Sequence, residues 1–394
     1  MSAPAIDAVV MGASPTGLYA LRELAAAGWS VALVDTGPGC AFHSRHARSD
    51  GLRFRGDADA IETWLLALAE RQDARPVLVP TSDVFIEFVL QRAQRLTPGF
   101  AFASAYQGIA ADLLDKSAFH ALCAGHDMAT PGVWNAPDRD ALLALAGDIP
   151  YPCILKPVLI HRARAFLSGR KVLLARTAQE FTRHVEDMPD GMGGWLVQEI
   201  IPGAESEITL FGGYMDTTGE PRQAFTGRKL RQYPPGFGSA SLVTGEPCME
   251  SLDLTLDFLR RIGFRGICGA EYKRDPRDGL LKIIEINPRP TLWFQITHDA
   301  GKRIVEAAVR DLAGAAPPAD APQNESVRWR YGLKDMASAR FYRRDGGRFV
   351  FPAPDVSSAD AARVRSWPVF AAADPLPALA EPLGYLRKAR SRLR

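Results

Sequence analysis

The sequence predicts an α/β protein that opens with a parallel sheet and becomes α+β in its C-terminal lobe. Three observations carry this prediction. Apolar runs alternate with amphipathic segments up to about residue 110, the order that a parallel sheet with helical crossovers demands. Beyond residue 200 the strands follow one another across short Gly, Pro and Asp turns, as in an antiparallel sheet. Composition is globular, with 47% hydrophobic and 23% charged residues, and a 394-residue chain suits about two to three domains.

In the first region "IDAVVMG", "SVALVD" and "PVLVP" read as buried strands, and "TWLLALAERQ" and "FIEFVLQRAQRL" as amphipathic helices. The stretch "VVMGASPTGLYALRELAAAGWSVALVD" has the strand–turn–helix–strand order of a Rossmann-like unit. The dinucleotide fingerprint is G-x-G-x-x-G with an acid about 20 residues on. Here Ser14 stands where the second glycine belongs, and Pro15 brings no N–H. Both weaken an anion cradle at this helix start. The region therefore keeps the shape and loses the cofactor, and Asp35 becomes a strand-end residue.

A helix, "DKSAFHALCAGH", begins at Asp115-Lys116, followed by a short strand in "ATPGVWNAP". "YPCILKPVLI" and "GWLVQEII" are strands separated by an Arg-rich loop and the helix "TAQEFTRHVEDM". "SEITLFGGYMD", "QAFTGRKLRQY", "ICGAEYKRD" and "LLKIIEINP" are strands of the later sheet, with "LDLTLDFLRRIG" and "GKRIVEAAVRDLAG" as its helices. "AAPPADAPQ" reads as a linker, and the remainder mixes strands such as "GRFVFPAP" with a short helix and the basic tail "YLRKARSRLR". The expected division is 1–110, 111–197, 198–314 and a C-terminal extension, 315–394.

Bulk properties exclude several classes. A net charge of +2 gives no reason to expect nucleic acid. Five scattered cysteines without a CxxC pair suit a reducing compartment. No apolar run approaches the roughly 20 residues of a membrane helix, and no signal peptide is evident. The expectation is a cytoplasmic protein without an integral membrane segment.

The segment "GAEYKRDPRDGLLKIIEINPRP" carries the most chemistry. "DPRDG" between alternating strands predicts a β-hairpin. Glu285 and Asn287 then share one face, Ile284 and Ile286 take the other, and Glu271 falls opposite Glu285. Facing carboxylates repel unless neutralised. Mg²⁺ bridging them, with the Asn287 amide oxygen, would neutralise them, since hard oxygen donors suit that ion. Arg289 would face the same cleft as a phosphate or carboxylate clamp. The alternative is a solvent-facing strand with incidental acids. Lys156, in "CILKP", projects where Pro157 stops its strand, and Lys116 starts a helix. Both could neutralise phosphates, or they could simply reach solvent. In "VQEIIPGAESEITL" the Pro-Gly turn could offer backbone groups to a flat base, with Glu207 on ribose hydroxyls. Cys40, His43 and His46 are too few for zinc. Ser44, Arg45, His46 and Arg48 read better as an anion patch at the first sheet's C-terminal edge, or as a solvated loop.

Together "PVLVPTSD", the "LKP" lysine, "QEIIPG" with "SEITL", "TGRKLRQYPPGFG", and "AEYKRDPRDG" with "EINPRP" resemble the ATP-grasp superfamily, in its carboxylate–amine ligase (ATP-dependent carboligase) branch. The resemblance covers most of residues 5–314. It implies an ATP-grasp fold with ATP between two lobes, Mg²⁺ as the metal and Mn²⁺ as a substitute. By position it assigns Lys116 and Lys156 to phosphates, Glu199 and Ile201 to an adenine-contacting hinge, and Glu207 to ribose. It assigns Glu271, Glu285 and Asn287 to magnesium, and Arg289 to phosphate or the acyl substrate. Arg228, Lys229 and Arg231 would be anion contacts, with a solvated basic strand as their alternative.

The implied reaction joins a small-molecule carboxylate to an amine through an acyl phosphate. A homodimer is compatible with it. One departure is the glycine-poor loop "VLIHRARAFLSGRKVLL", whose His161, Arg162, Arg164, Arg170 and Lys171 would replace a glycine-rich phosphate lid or form a surface loop. Competing functions are a small-molecule kinase on the same fold, a non-catalytic nucleotide-binding protein and an NAD-dependent oxidoreductase.

Overall fold

A computed structural model describes residues 5–47, 52–157, 166–167, 172–189, 194–346 and 349–382. The first sheet contains β1 (Ala8–Met11), β2 (Val31–Asp35), β3 (Arg53–Arg55) and β4 (Val77–Pro80), in the order β3-β2-β1-β4, all parallel. Strand β3 was invisible to periodicity because its three residues are Arg-Phe-Arg. β1 and β4 are buried throughout, as parallel strands covered on both faces must be. The chain reverses its direction of travel between β1 and β4, and the loops after these two strands lie side by side.

The "GASPTG" turn is built for packing. Gly12 adopts φ +118°, and a Cβ on Gly17 would sit 1.7 Å from the Gly12 carbonyl oxygen. The Asp35 carboxylate accepts the Ala13 N–H at 2.5 Å and the Gly37 N–H at 3.0 Å. Asp35 thus braces this turn, which is the role its strand-end position left open.

The second sheet is antiparallel, in the order β5-β8-β6-β7, from β5 (Val133–Ala136), β6 (Cys153–Pro157), β7 (Leu173–Ala175) and β8 (Trp195–Glu199). Trp195, Leu155 and Phe181 form its core with helix Ala178–Glu186. The third sheet has seven strands in the order β13-β12-β9-β10-β11-β14-β15. They are β9 (Ile208–Met215), β10 (Pro221–Tyr233), β11 (Ser239–Gly245), β12 (Gly266–Arg274), β13 (Leu281–Asn287), β14 (Val327–Arg330) and β15 (Val364–Ser366). Phe258 and Leu259 of helix Met249–Arg261 pack with Phe211 and Met215. Helix Ile304–Leu312 packs with Leu210, Tyr214 and Phe225, on the opposite face.

The C-terminal region departs from expectation. "GRFVFPAP" forms no strand in its described part, 349–354. β14 and β15 instead extend the seven-stranded sheet. The Pro/Ala-rich segment is docked rather than loose: Gln223 Nε2 donates to the carbonyls of Pro318 and Ala319, and Lys302 Nζ to Asp320 and the Ala321 carbonyl. Among the described residues no helix is long and apolar enough to cross a membrane.

Candidate active site

The hairpin of β12 and β13 forms the floor of the site. Glu271 pairs with Glu285 in register, and Gly269 with Asn287. A register shift between Glu271 and Tyr272 leaves Ile284 as an extra residue. Ile284 therefore turns into the cleft instead of sharing the buried face of Ile283 and Ile286, a correction to strict alternation. The Glu271 carboxylate is hydrogen-bonded by the Lys229 ammonium, whose side chain is 3% exposed. Asn287 Nδ2 donates to Glu285 Oε1 at 3.2 Å, and Arg289 Nη2 to Asn287 Oδ1 at 3.2 Å. Arg289 Nε reaches Asp83 Oδ1 at 2.6 Å. Among the described residues no group of three or more His, Cys, Asp or Glu side chains is arranged to hold a metal ion. The candidate donor set is two carboxylates and an amide oxygen. These hard donors fit a divalent cation such as Mg²⁺, and the buried Lys229 ammonium already supplies positive charge to Glu271.

One cleft of about 540 Å³ gathers most of the expected residues: Lys116, Lys156, Glu199, Ile201, Lys229, Glu271, Glu285, Asn287 and Arg289. Lys116 is the first residue of helix Lys116–Gly125, whose Asp115 cap accepts the Ala118 N–H at 2.8 Å. Lys156 Nζ donates to Gln198 Oε1 at 2.6 Å across the β6–β8 pair. Burial, followed by the Lys156 charge, pushes the His120 imidazole down to about 4.

The hinge is held by charges that sequence reading missed. Glu199 Oε1 accepts the Gly132 N–H at 2.8 Å, and Oε2 accepts from Arg277 at 3.0 Å. The Glu199 side chain is thus committed to the scaffold, and the residue lines the cleft. Lys273, 3% exposed, donates to the carbonyls of Ile201 at 3.0 Å and Gly203 at 2.7 Å. Burial lowers its ammonium to about 8, against the pull of Glu207, Glu205 and Asp275. Glu205, fully buried, accepts the N–H groups of Gln232 and Gly236, tying the hinge to the "PPGFG" loop. Phe351 from the C-terminal region also lines the cleft, under the Lys273 ammonium. Alternation in "AEYKRD" could have flagged Lys273, two residues from Glu271; the distant Phe351 left no local signal.

Three expected residues lie elsewhere. Arg228 sits one residue from Lys229, points to the other face and pairs with Glu246. Arg231 shares the parity of Lys229, yet the bulge between them turns it away. It makes a two-pronged pair with Asp335, while Gln232 takes its place in the cleft. Glu207 is exposed and does not line the cleft; its carboxylate lies over Gly203.

The anion patch near Ser44 is filled from within the chain. The Asp374 carboxylate accepts from Ser44 Oγ at 2.6 Å, the Arg45 N–H at 2.9 Å and Arg22 Nε at 2.9 Å. The Arg-rich loop residues His161, Arg162, Arg164, Arg170 and Lys171, together with Arg48 and the tail from 383 onward, lie outside the described residues.

No protein-family model matches the chain. It is 26% identical over 250 residues to the D-aspartate ligase of Enterococcus faecium, covering 60% of this chain and 59% of that protein. It is 28% identical over 177 residues to the carbamoyl phosphate synthase large chain of Clavibacter michiganensis, covering 42% of this chain and 15% of that one. The chain therefore spans less than two thirds of the curated relatives it matches. Among solved structures, the N5-carboxyaminoimidazole ribonucleotide synthetase of Thermus thermophilus aligns with a TM-score of 0.61 at 17% identity, covering 80% of this chain and 81% of that one. Biotin carboxylase from Campylobacter jejuni, bound to β-γ-ATP, aligns with a TM-score of 0.59 at 16% identity, covering 82% and 74%. At these identities the structures carry the fold.

Proposed function

We propose that this chain, a member of the ATP-grasp superfamily, is an ATP-dependent carboxylate–amine ligase. One observation carries the reading: facing carboxylates Glu271 and Glu285, with Asn287 beside them, share a cleft with Lys116, Lys156, Lys229 and Arg289. A hard-oxygen set amid four cationic side chains suits a magnesium-bound triphosphate. The names of the relatives, a ligase and a synthase, support the same class.

In this reading ATP stacks at the hinge, where Lys273 steadies the carbonyls of Ile201 and Gly203. Lys116, Lys156 and Lys229 neutralise phosphates, and Glu207 meets the ribose from the rim if the lobes close. Glu271, Glu285 and Asn287 hold Mg²⁺, which Mn²⁺ can replace. The metal supplies Lewis-acid neutralisation of charge on the transferring phosphoryl group. Arg289 grips the substrate carboxylate or its acyl phosphate. Arg228 and Arg231 take no part.

The substrate carboxylate attacks the γ-phosphorus, the bond to the bridging oxygen breaks, and ADP leaves. The amine nitrogen, as the free base, then attacks the acyl carbon; phosphate leaves with the C–O bonding pair and takes the proton that the nitrogen loses. Positioning and charge neutralisation supply most of the rate.

The carboxylate and amine are small molecules, the compartment is the cytoplasm, and a homodimer fits the reading. The domain division is kept near residues 110 and 197, with the C-terminal segment joined to the large lobe because β14 and β15 extend its sheet. ADP release is screened over carboxylates, with hydroxylamine in place of the amine. Hydroxamate supports the ligase. ADP release with a stable phosphorylated product and no hydroxamate would favour a kinase. Tight NAD(H) binding without any effect of ATP on melting would favour an oxidoreductase.

A further inference from the structure

The N-terminal sheet contributes to the cleft at one particular place. Its order, β3-β2-β1-β4, puts the reversal of chain travel between β1 and β4, and ligands of open α/β sheets gather outside the strand C-termini at such a reversal. Thr16 follows β1 and Asp83 follows β4, and both line the cleft that holds the carboxylate pair. Asp83 begins helix Asp83–Leu96, and its side chain is 52% exposed. It comes to the site from 206 residues away along the chain to meet Arg289, at 2.6 Å.

The other carboxylates of the cleft are engaged in different ways. Glu199 is held by Gly132 and Arg277, Glu271 by Lys229, and Glu285 accepts from Asn287 beside it. Asp83 comes to the cleft from the N-terminal sheet, and the cation it pairs with is the one assigned above to the acyl substrate. When Arg289 turns to a substrate carboxylate, Asp83 loses its partner. A half-exposed carboxylate released in this way attracts a cation, and charge-assisted hydrogen bonds to ammonium groups are the strong ones.

We propose that Asp83 recognises the ammonium of the amine substrate, and that its ion pair with Arg289 is an interlock that admits the amine after the carboxylate has bound. This rests on the ligase reading above. It makes the acceptor an amine that arrives protonated, such as an amino acid, and the ammonium gives up one proton to water before the nitrogen lone pair attacks the acyl carbon. Asp83 binds and orients the acceptor, and touches acyl-phosphate formation only by holding Arg289 until the carboxylate binds.

The test uses the full chain with two nitrogen donors. Hydroxylamine is uncharged near neutral pH and reports acyl-phosphate formation. A panel of glycine, alanine, aspartate and lysine, in both enantiomers where they exist, reports amide formation. In Asp83→Asn, a near-isosteric change, the KM for the best amino acid is expected to rise at least tenfold, while hydroxamate still forms at saturating carboxylate and the carboxylate KM falls, because Arg289 is no longer held. Asp83→Glu is expected to recover part of the amino-acid KM. In wild-type protein, the amino acid should bind in calorimetry after carboxylate and a non-hydrolysable ATP analogue are added, and not before. An unchanged amino-acid KM in Asp83→Asn overturns the proposal, as does a parallel loss of hydroxamate and amide. Absence of hydroxamate from wild-type protein with every carboxylate overturns the ligase reading itself, and this proposal with it.

Discussion

Replacing Arg231 with alanine should destabilise the protein without weakening nucleotide binding, although motif position alone would put Arg231 beside the triphosphate. Asp335 is completely buried on helix Gly332–Asp345. Its carboxylate accepts from Arg231 Nε at 2.7 Å and Nη2 at 2.8 Å, and from Arg330 Nε at 2.7 Å. Removing one partner of a buried pair costs ~3–5 kcal/mol, because the remaining charge keeps its desolvation penalty. Arg330 stays, so the low end applies. About 3 kcal/mol is a large share of a typical stability of roughly 5–15 kcal/mol. The assay is urea unfolding of ligand-free protein, read alongside Mg·ATP affinity by calorimetry. The double variant Arg231→Met, Asp335→Leu should recover most of the loss, since replacing both partners by apolar groups removes the uncompensated charge. An unchanged urea midpoint combined with weaker ATP binding would refute this reasoning and return Arg231 to the nucleotide.

Further outcomes test the site and its supports. Glu285→Gln and Lys156→Ala should each abolish ADP formation with melting unchanged; near-normal turnover in either removes its metal or phosphate assignment. Lys273 titrates near 8 in the folded protein, against about 10.4 in an unfolded chain. Between those values the unfolded state binds more protons, so this group makes stability rise with pH. Lys273→Met should flatten the rise in a pH series of urea midpoints, and an identical slope in the variant would count against the assignment. Asp374 is held below the usual carboxylate range because Ser44, the Arg45 N–H and Arg22 outweigh the effect of its burial. Its contribution is present above the unfolded pKa and is lost as pH falls through the lower folded value. Asp374→Ala should therefore cost about 1.5–3 kcal/mol at neutral pH and blunt the loss of stability in acid. Equal midpoints at pH 7 would show that the patch is not structural.

Much of this protein was legible where neighbouring residues decide the outcome. Alternating apolar runs identified the parallel sheet, and "DPRDG" set the hairpin that brings Glu271 opposite Glu285. Strand parity put Glu285 and Asn287 on one face of their strand, and both line the cleft. Parity fails where a strand gains a residue. The bulges beside Lys229 and Glu271 depend on how two strands accommodate each other, so they turned Arg231 out and Ile284 in. Strand β3 and the strands of the C-terminal region are too short or too polar to declare themselves, and they form by pairing with an edge already built. Position along the chain is equally silent about distant partners. Asp83 meets Arg289 across 206 residues and Asp374 meets Ser44 across 330. Local sequence determined which side chains could carry charge on which strand face, because side-chain alternation is a property of a few successive residues. Only the tertiary structure decided which charges meet, because pairing depends on how the sheets pack and where the chain returns.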